Sequence, residues 1–162
     1  MAVRVIALGS PHGGDDALAL ELGASLGERY GERVELRLAG RPGPGLLDLL
    51  ETAAPVLLLD VVRSAASPGT VHRVPLAELE SRSLAEEQVS SHGFGPGEAL
   101  ELGRVLGRVL PRGTFVGLEG ERFELGAEPS PAMRAACVRF AAAASDALEQ
   151  LEQERASCTN RV

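Results

Sequence analysis

The sequence predicts an α/β fold: one domain with a mostly parallel twisted sheet and helices on both faces. Three observations predict it. Short apolar runs of strand length recur along the chain, as in Val3–Leu8 and Pro55–Val62. Segments with helical apolar spacing lie between them, as in Leu18, Leu22 and Leu26. Strand-like and helix-like segments therefore alternate, which is the pattern of a parallel sheet with crossover helices.

Val3–Leu8 reads as a buried first strand that stops at Gly9. The first helix follows over Asp16–Tyr30, and Arg33–Leu38 is a second strand. Arg41-Pro42-Gly43-Pro44-Gly45 is a loop, because Pro and Gly interrupt both regular structures. Leu46–Ala53 is a short helix. Pro55–Val62 is continuously apolar except for Asp60, as expected of a central strand covered on both faces. Thr70–Val74 is a further strand, and Glu78–Val89 is polar, without a clear period, and partly loop. Glu98–Leu110 is expected to be helical with Leu102, Val105, Leu106 and Val109 on one face. Thr114–Leu118 and Arg122–Leu125 are short strands. Ser130-Pro131 opens the last helix, with Ser as cap and Pro in the first turn. That helix is expected to end near Glu154, so the domain spans 1–154 and 155–162 form a disordered tail.

Composition narrows the function. The 162 residues suffice for one core without disulfides or a structural metal. The net charge is −7, with no Lys anywhere, and aromatics are 3% with no Trp. Phosphate neutralisation and base stacking are both poorly served, so no nucleic-acid partner is expected. No membrane partner is expected either: no leader pattern opens the chain, and no apolar stretch approaches the ~20 residues that span a bilayer. Cys137 and Cys158 show no metal-pair or redox spacing. The expectation is a cytoplasmic monomer.

The chemistry gathers at three strand-to-loop junctions. Gly9-Ser10-Pro11-His12-Gly13-Gly14-Asp15-Asp16 has the spacing of a phosphate loop, but acids stand where that loop needs Lys and Ser or Thr. Carboxylates repel phosphate and suit a cation. Asp15 is expected to cap the first helix, which leaves Asp16 as the functional acid. Asp60 is a charge near the carboxyl end of an apolar strand, where ligands of α/β sheets bind. Taken alone, it reads as a strand-end acid capping the next loop. His92 lies in the Gly-rich Ser90–Gly95 loop and, taken alone, reads as a surface histidine. His12 is a weaker candidate near the first loop, and His72 is expected to be structural or surface. Two carboxylates and an imidazole suit a borderline divalent cation with positions left open for water or substrate. No nucleophile elbow surrounds Ser90 or Ser91. A cation bound there would polarise a carbonyl or activate water, with Asp16 taking the proton.

In ordered succession Gly9-Ser10, Asp15-Asp16-Ala17, Leu59-Asp60, Pro68-Gly69-Thr70-Val71, Ser91-His92-Gly93 and Val116-Gly117-Leu118-Glu119 resemble the hydrogenase maturation proteases from about Val3 to Cys137. The resemblance implies an endopeptidase that removes the C-terminal extension of a nickel-loaded nickel–iron hydrogenase large-subunit precursor. It implies Asp16, Asp60 and His92 as the nickel-contacting residues, with nickel carried by the substrate rather than held by the enzyme. Ser10, Ala17 and Val61 depart from the family pattern, as does His12. Two other readings stand beside it: a metal-recognising chaperone that does not cut, and a different metal-dependent hydrolase on the same fold.

Overall fold

A computed structural model describes residues 2–79 and 94–159. Its sheet has five strands: β1 (Val3–Leu8), β2 (Val34–Gly40), β3 (Val56–Val62), β4 (Val71–Pro75) and β5 (Gly113–Glu119). They lie side by side in the order β2-β1-β3-β5-β4. Every pairing is parallel except that of β4 with β5. The helices that lie wholly within the described residues include α1 (Ala17–Tyr30), α2 (Leu46–Leu50), α3 (Pro96–Val105) and α4 (Pro131–Thr159). Among the described residues, no helix is long and apolar enough to cross a membrane.

The central strands β1, β3 and β5 are largely apolar on both sides because both sides are covered. Val5, Ala7, Leu57, Leu59, Val116 and Leu118 face α1 and α4, meeting Leu18, Leu26, Met133 and Phe140. Their neighbours Ile6, Leu8, Val56, Leu58 and Phe115 face α2 and α3, meeting Leu46, Leu50, Ala99 and Leu100. The side-chain period of two thus divides each strand between two cores.

Several expectations need correction. Asp15 does not cap α1: the turn Gly14–Asp16 that precedes this helix has no side-chain cap bond. Residues 122–125 are not a strand. The amides of Glu121 and Arg122 donate to the Asp15 carboxylate, which removes donors a ladder would need. α3 is shifted towards its N-terminus, starting at Pro96 and ending at Val105. Glu98 accepts the Gly95 amide at 2.9 Å and fixes that start. Ala99, Leu100 and Gly103 therefore face the core, whereas Val105, Leu106 and Val109 are exposed. α4 runs on to Thr159, past the expected end near Glu154, with Ser130 Oγ accepting the Met133 amide at its start. Most of Glu78–Val89, and His92, lie outside the described residues.

Candidate functional site

The chain leaves β1 to one side for β2 and returns to the other for β3. Such a reversal opens a crevice at the carboxyl ends of the two central strands. The register places Ala7 beside Leu59, so Asp60 lies level with the last residue of β1. By the alternation along β3, Asp60 falls on the side of Val56 and Leu58, facing α2 and α3.

The loop after β1 brings Asp16 to the same place, and two glycines make this possible. Gly9 has φ +132°, and a Cβ there would lie 2.1 Å from the Asp16 carbonyl oxygen. Gly14 has φ +62°, and its Cβ would meet the Arg122 carbonyl oxygen at 2.4 Å. The loop is therefore folded tightly on itself and against the segment after β5. Asp15 completes the second contact. Its Oδ2 accepts the amides of Glu121 and Arg122 at 2.9 Å each, and its Oδ1 accepts that of Ser130 at 3.0 Å. Its own amide donates to the Arg122 carbonyl at 2.8 Å. Asp15 is a buried anchor whose oxygens are committed to backbone.

Asp16 is buried as well, but it faces the other way. With Asp60 it lines a cleft of 290 Å³ whose walls include Gly9, Gly40, Arg41, Leu46, Phe94 and Pro96. Arg41, just beyond β2, donates to Asp16 Oδ2 from Nη2 at 2.9 Å and from Nε at 3.3 Å. Burial pushes the Asp60 carboxyl well above the usual carboxylate range, and the nearby Asp16 charge pushes it further. The Val61 amide and Arg41 pull in the opposite direction. Two carboxylates in one crevice, one of them costly to ionise, form an environment that a divalent cation would relieve. The donor chemistry thus fits a borderline metal ion. Among the described residues, no three potential ligands cluster.

The expected site residues fare differently. Asp16 and Asp60 come together in the cleft. His92 lies outside the described residues, although Phe94 is on the cleft wall. His12 is exposed and does not line the cleft, and its carbonyl accepts the Gly126 amide. His72 has a structural place: its Nε2 lies 3.0 Å from Oε2 of the buried Glu119. Glu119 also accepts from the Ser64 amide and, at 2.9 Å, from the Ser64 hydroxyl. This ties the loop after β3 to the edge strand β4. Cys137 donates to the Met133 carbonyl within α4, and burial pushes its thiol up, as suits a packed side chain rather than a nucleophile.

The residue that sequence reasoning missed is Arg41. An arginine in a Gly/Pro loop reads as solvated, and only the adjacency of β2 and β1 brings it to Asp16. Its position just past a strand end was the available signal.

Fold and cleft together define a class: a mostly parallel α/β domain with helices on both faces and an acid-lined cleft at the carboxyl edge of its sheet. Within that class, the fold is that of the hydrogenase maturation endopeptidases. The chain is similar to the hydrogenase maturating endopeptidase HybD from E. coli, with TM-score 0.74 and 21% identity over 95% of this chain and 94% of that one. It is similar to the NiFe hydrogenase maturation protease HybD from Thermococcus kodakarensis, with TM-score 0.70 and 25% identity over 90% and 98%. The NiFe hydrogenase maturation protease HycI from Thermococcus kodakarensis KOD1 matches with TM-score 0.64 and 20% identity over 91% and 92%. No protein-family model matches the sequence, and no curated protein matches it.

Proposed function

We propose that this chain is an endopeptidase that removes the C-terminal extension of a nickel-loaded nickel–iron hydrogenase large-subunit precursor. The observation that carries the reading is the end-to-end likeness to a NiFe hydrogenase maturation protease at 25% identity, with Asp16 and Asp60 gathered in one cleft at the sheet's switch point. A chaperone that only recognises metal is less favoured, because the similar structures are named as endopeptidases and proteases.

The nickel belongs to the precursor, and in this reading it brings the scissile segment to the cleft. Asp16 and Asp60 contact the ion, with His92 as the third contact. The assignment of His92 rests on the sequence resemblance alone. A cation held there polarises the scissile carbonyl or activates water. Asp16 takes the proton released when water attacks. Arg41 already sets a positive charge beside Asp16. The enzyme is taken to act as a cytoplasmic monomer.

The test is the mass of a nickel-loaded large-subunit precursor after incubation with the purified protein. Loss of a C-terminal peptide that requires nickel is the expected result. Asp16→Asn should lower the processing rate at least about a hundredfold while leaving a cooperative unfolding transition. An unchanged precursor mass with the wild-type protein would overturn the reading, and full processing by Asp16→Asn would overturn the role of that acid.

A further inference from the structure

Two arginines in this protein pair with acids in different ways. Arg4 grips Glu35 with a fork, Nε to Oε2 at 3.1 Å and Nη2 to Oε1 at 3.0 Å, and spends Nη1 on the Leu49 carbonyl at 2.9 Å. That is a bidentate structural clamp, and the Arg4 side chain is only 16% exposed. Arg41 instead sends both bonds to a single oxygen, Asp16 Oδ2, and its side chain, part of the cleft lining, is 44% exposed. Its partner Asp16 is 1% exposed. The guanidinium thus covers one oxygen of a buried acid without locking both.

The seat of Arg41 is built for close approach. A Cβ at Gly13 would lie 3.3 Å from Arg41 Nη2, so the absent side chain leaves the guanidinium its room. The loop that carries Arg41, with Pro42 and Gly43 beside it, forms part of the same cleft wall as Asp16 and Asp60. A cation held between the two acids would lie beside this guanidinium. It would have to compete with it for Oδ2 and would then feel its charge at close range.

We propose that Arg41 is a displaceable counter-cation that keeps the Asp16–Asp60 cleft closed to free divalent metal ions, so that only an ion presented by a bound partner gains the site. The proposal rests on the reading of this cleft as the place where the precursor's nickel is contacted. Arg41 acts by competition: it occupies Asp16 Oδ2 until a better-held cation takes its place, and it then remains nearby as a repelling charge. Loose ions in solution pay the full repulsion, whereas an ion already anchored in a docked protein is offset by the docking contacts. The device selects loaded substrate over free metal.

The experiment is a calorimetric titration of nickel ion into the full-length purified protein, comparing wild type with Arg41→Ala and Arg41→Gln. The glutamine keeps a hydrogen-bond donor near Asp16 and guards against loss of the fold, which a thermal melt of each variant checks. Both variants should bind nickel at least about tenfold more tightly than wild type, as expected when a full charge a few ångströms from a divalent ion is removed. Adding Asp60→Asn to either variant should abolish the gain. Equal or weaker binding by Arg41→Gln than by wild type would overturn the proposal, as would no nickel binding by any of the proteins. Those outcomes leave the endopeptidase reading to the precursor mass measurement, which does not depend on affinity for free metal.

Discussion

Asp15 and Asp16 are neighbours in sequence and both are buried, yet they do opposite things. Asp15 turns towards the segment after β5, where three backbone amides donate to its two oxygens. Asp16 turns into the cleft, where it meets an arginine and lies close enough to Asp60 to raise that carboxyl. The difference teaches that burial alone does not mark a functional acid. What its oxygens face decides. An acid committed to backbone is part of the fold, and an acid facing another acid in a crevice is poised for a cation.

The largest expected effect comes from breaking the anchor. Asp15→Ala leaves the amides of Glu121, Arg122 and Ser130 without their acceptor, and each had been paired to a charged oxygen. The loss should be about 3 kcal/mol or more, read as a lower midpoint in a denaturant titration. Asp16→Asn, by contrast, should leave that midpoint nearly unchanged while removing precursor processing. Equal losses of stability from the two substitutions would erase the distinction drawn between them.

The same pair shows what could be read before the structure. Both acids stood out in sequence because they replace the Lys and Ser or Thr of a phosphate loop, and Asp60 because it is a charge in an apolar strand. The central strands β1, β3 and β5 and helix α1 were legible from their apolar runs and spacing, since those residues do face the two cores. Asp15's actual partners were not legible, because Glu121, Arg122 and Ser130 are more than a hundred residues away along the chain. Residues 122–125 alternate charged and apolar like a strand, but tertiary hydrogen bonds to Asp15 claim the backbone of Arg122. The stripe Leu102–Val109 misled for a local reason. Gly107, with φ +69°, lies beyond a helix already ended at Val105, so the last of those side chains point to solvent.

Asp60 sharpens the comparison from the cleft side. Its carboxyl is raised well above 3.8 by burial and by Asp16, so the folded state holds that proton more tightly than the unfolded state does. The stability it contributes is therefore full below the unfolded value and is lost as pH rises through the folded one. Asp60→Asn removes the ionisation and should stabilise the protein near pH 7, by something on the order of 1 kcal/mol. The gain over wild type should shrink towards pH 4 and be smallest below it. A variant less stable than wild type near neutral pH would show that the cleft accommodates the Asp60 charge after all. Processing should be lost in the same variant, so a functional residue here would cost the fold stability.

The smallest effect belongs to an ion pair with neither kind of burial. Arg134 of α4 reaches Glu21 of α1 at 3.2 Å, with side chains 50% and 53% exposed. Water screens both partners, and two long side chains lose freedom to hold the contact, so Arg134→Ala should cost roughly 0.2–0.5 kcal/mol. The cost should fall towards zero in high salt, whereas that of Asp15→Ala should persist, because Asp15 binds backbone amides in a buried setting rather than a screened charge. A salt-insensitive loss above about 1 kcal/mol at Arg134 would mean that the contact orders the packing of α1 on α4. The packing of α1 on α4 would then draw on charge pairs as well as on the buried contacts of Leu18, Leu26, Met133 and Phe140.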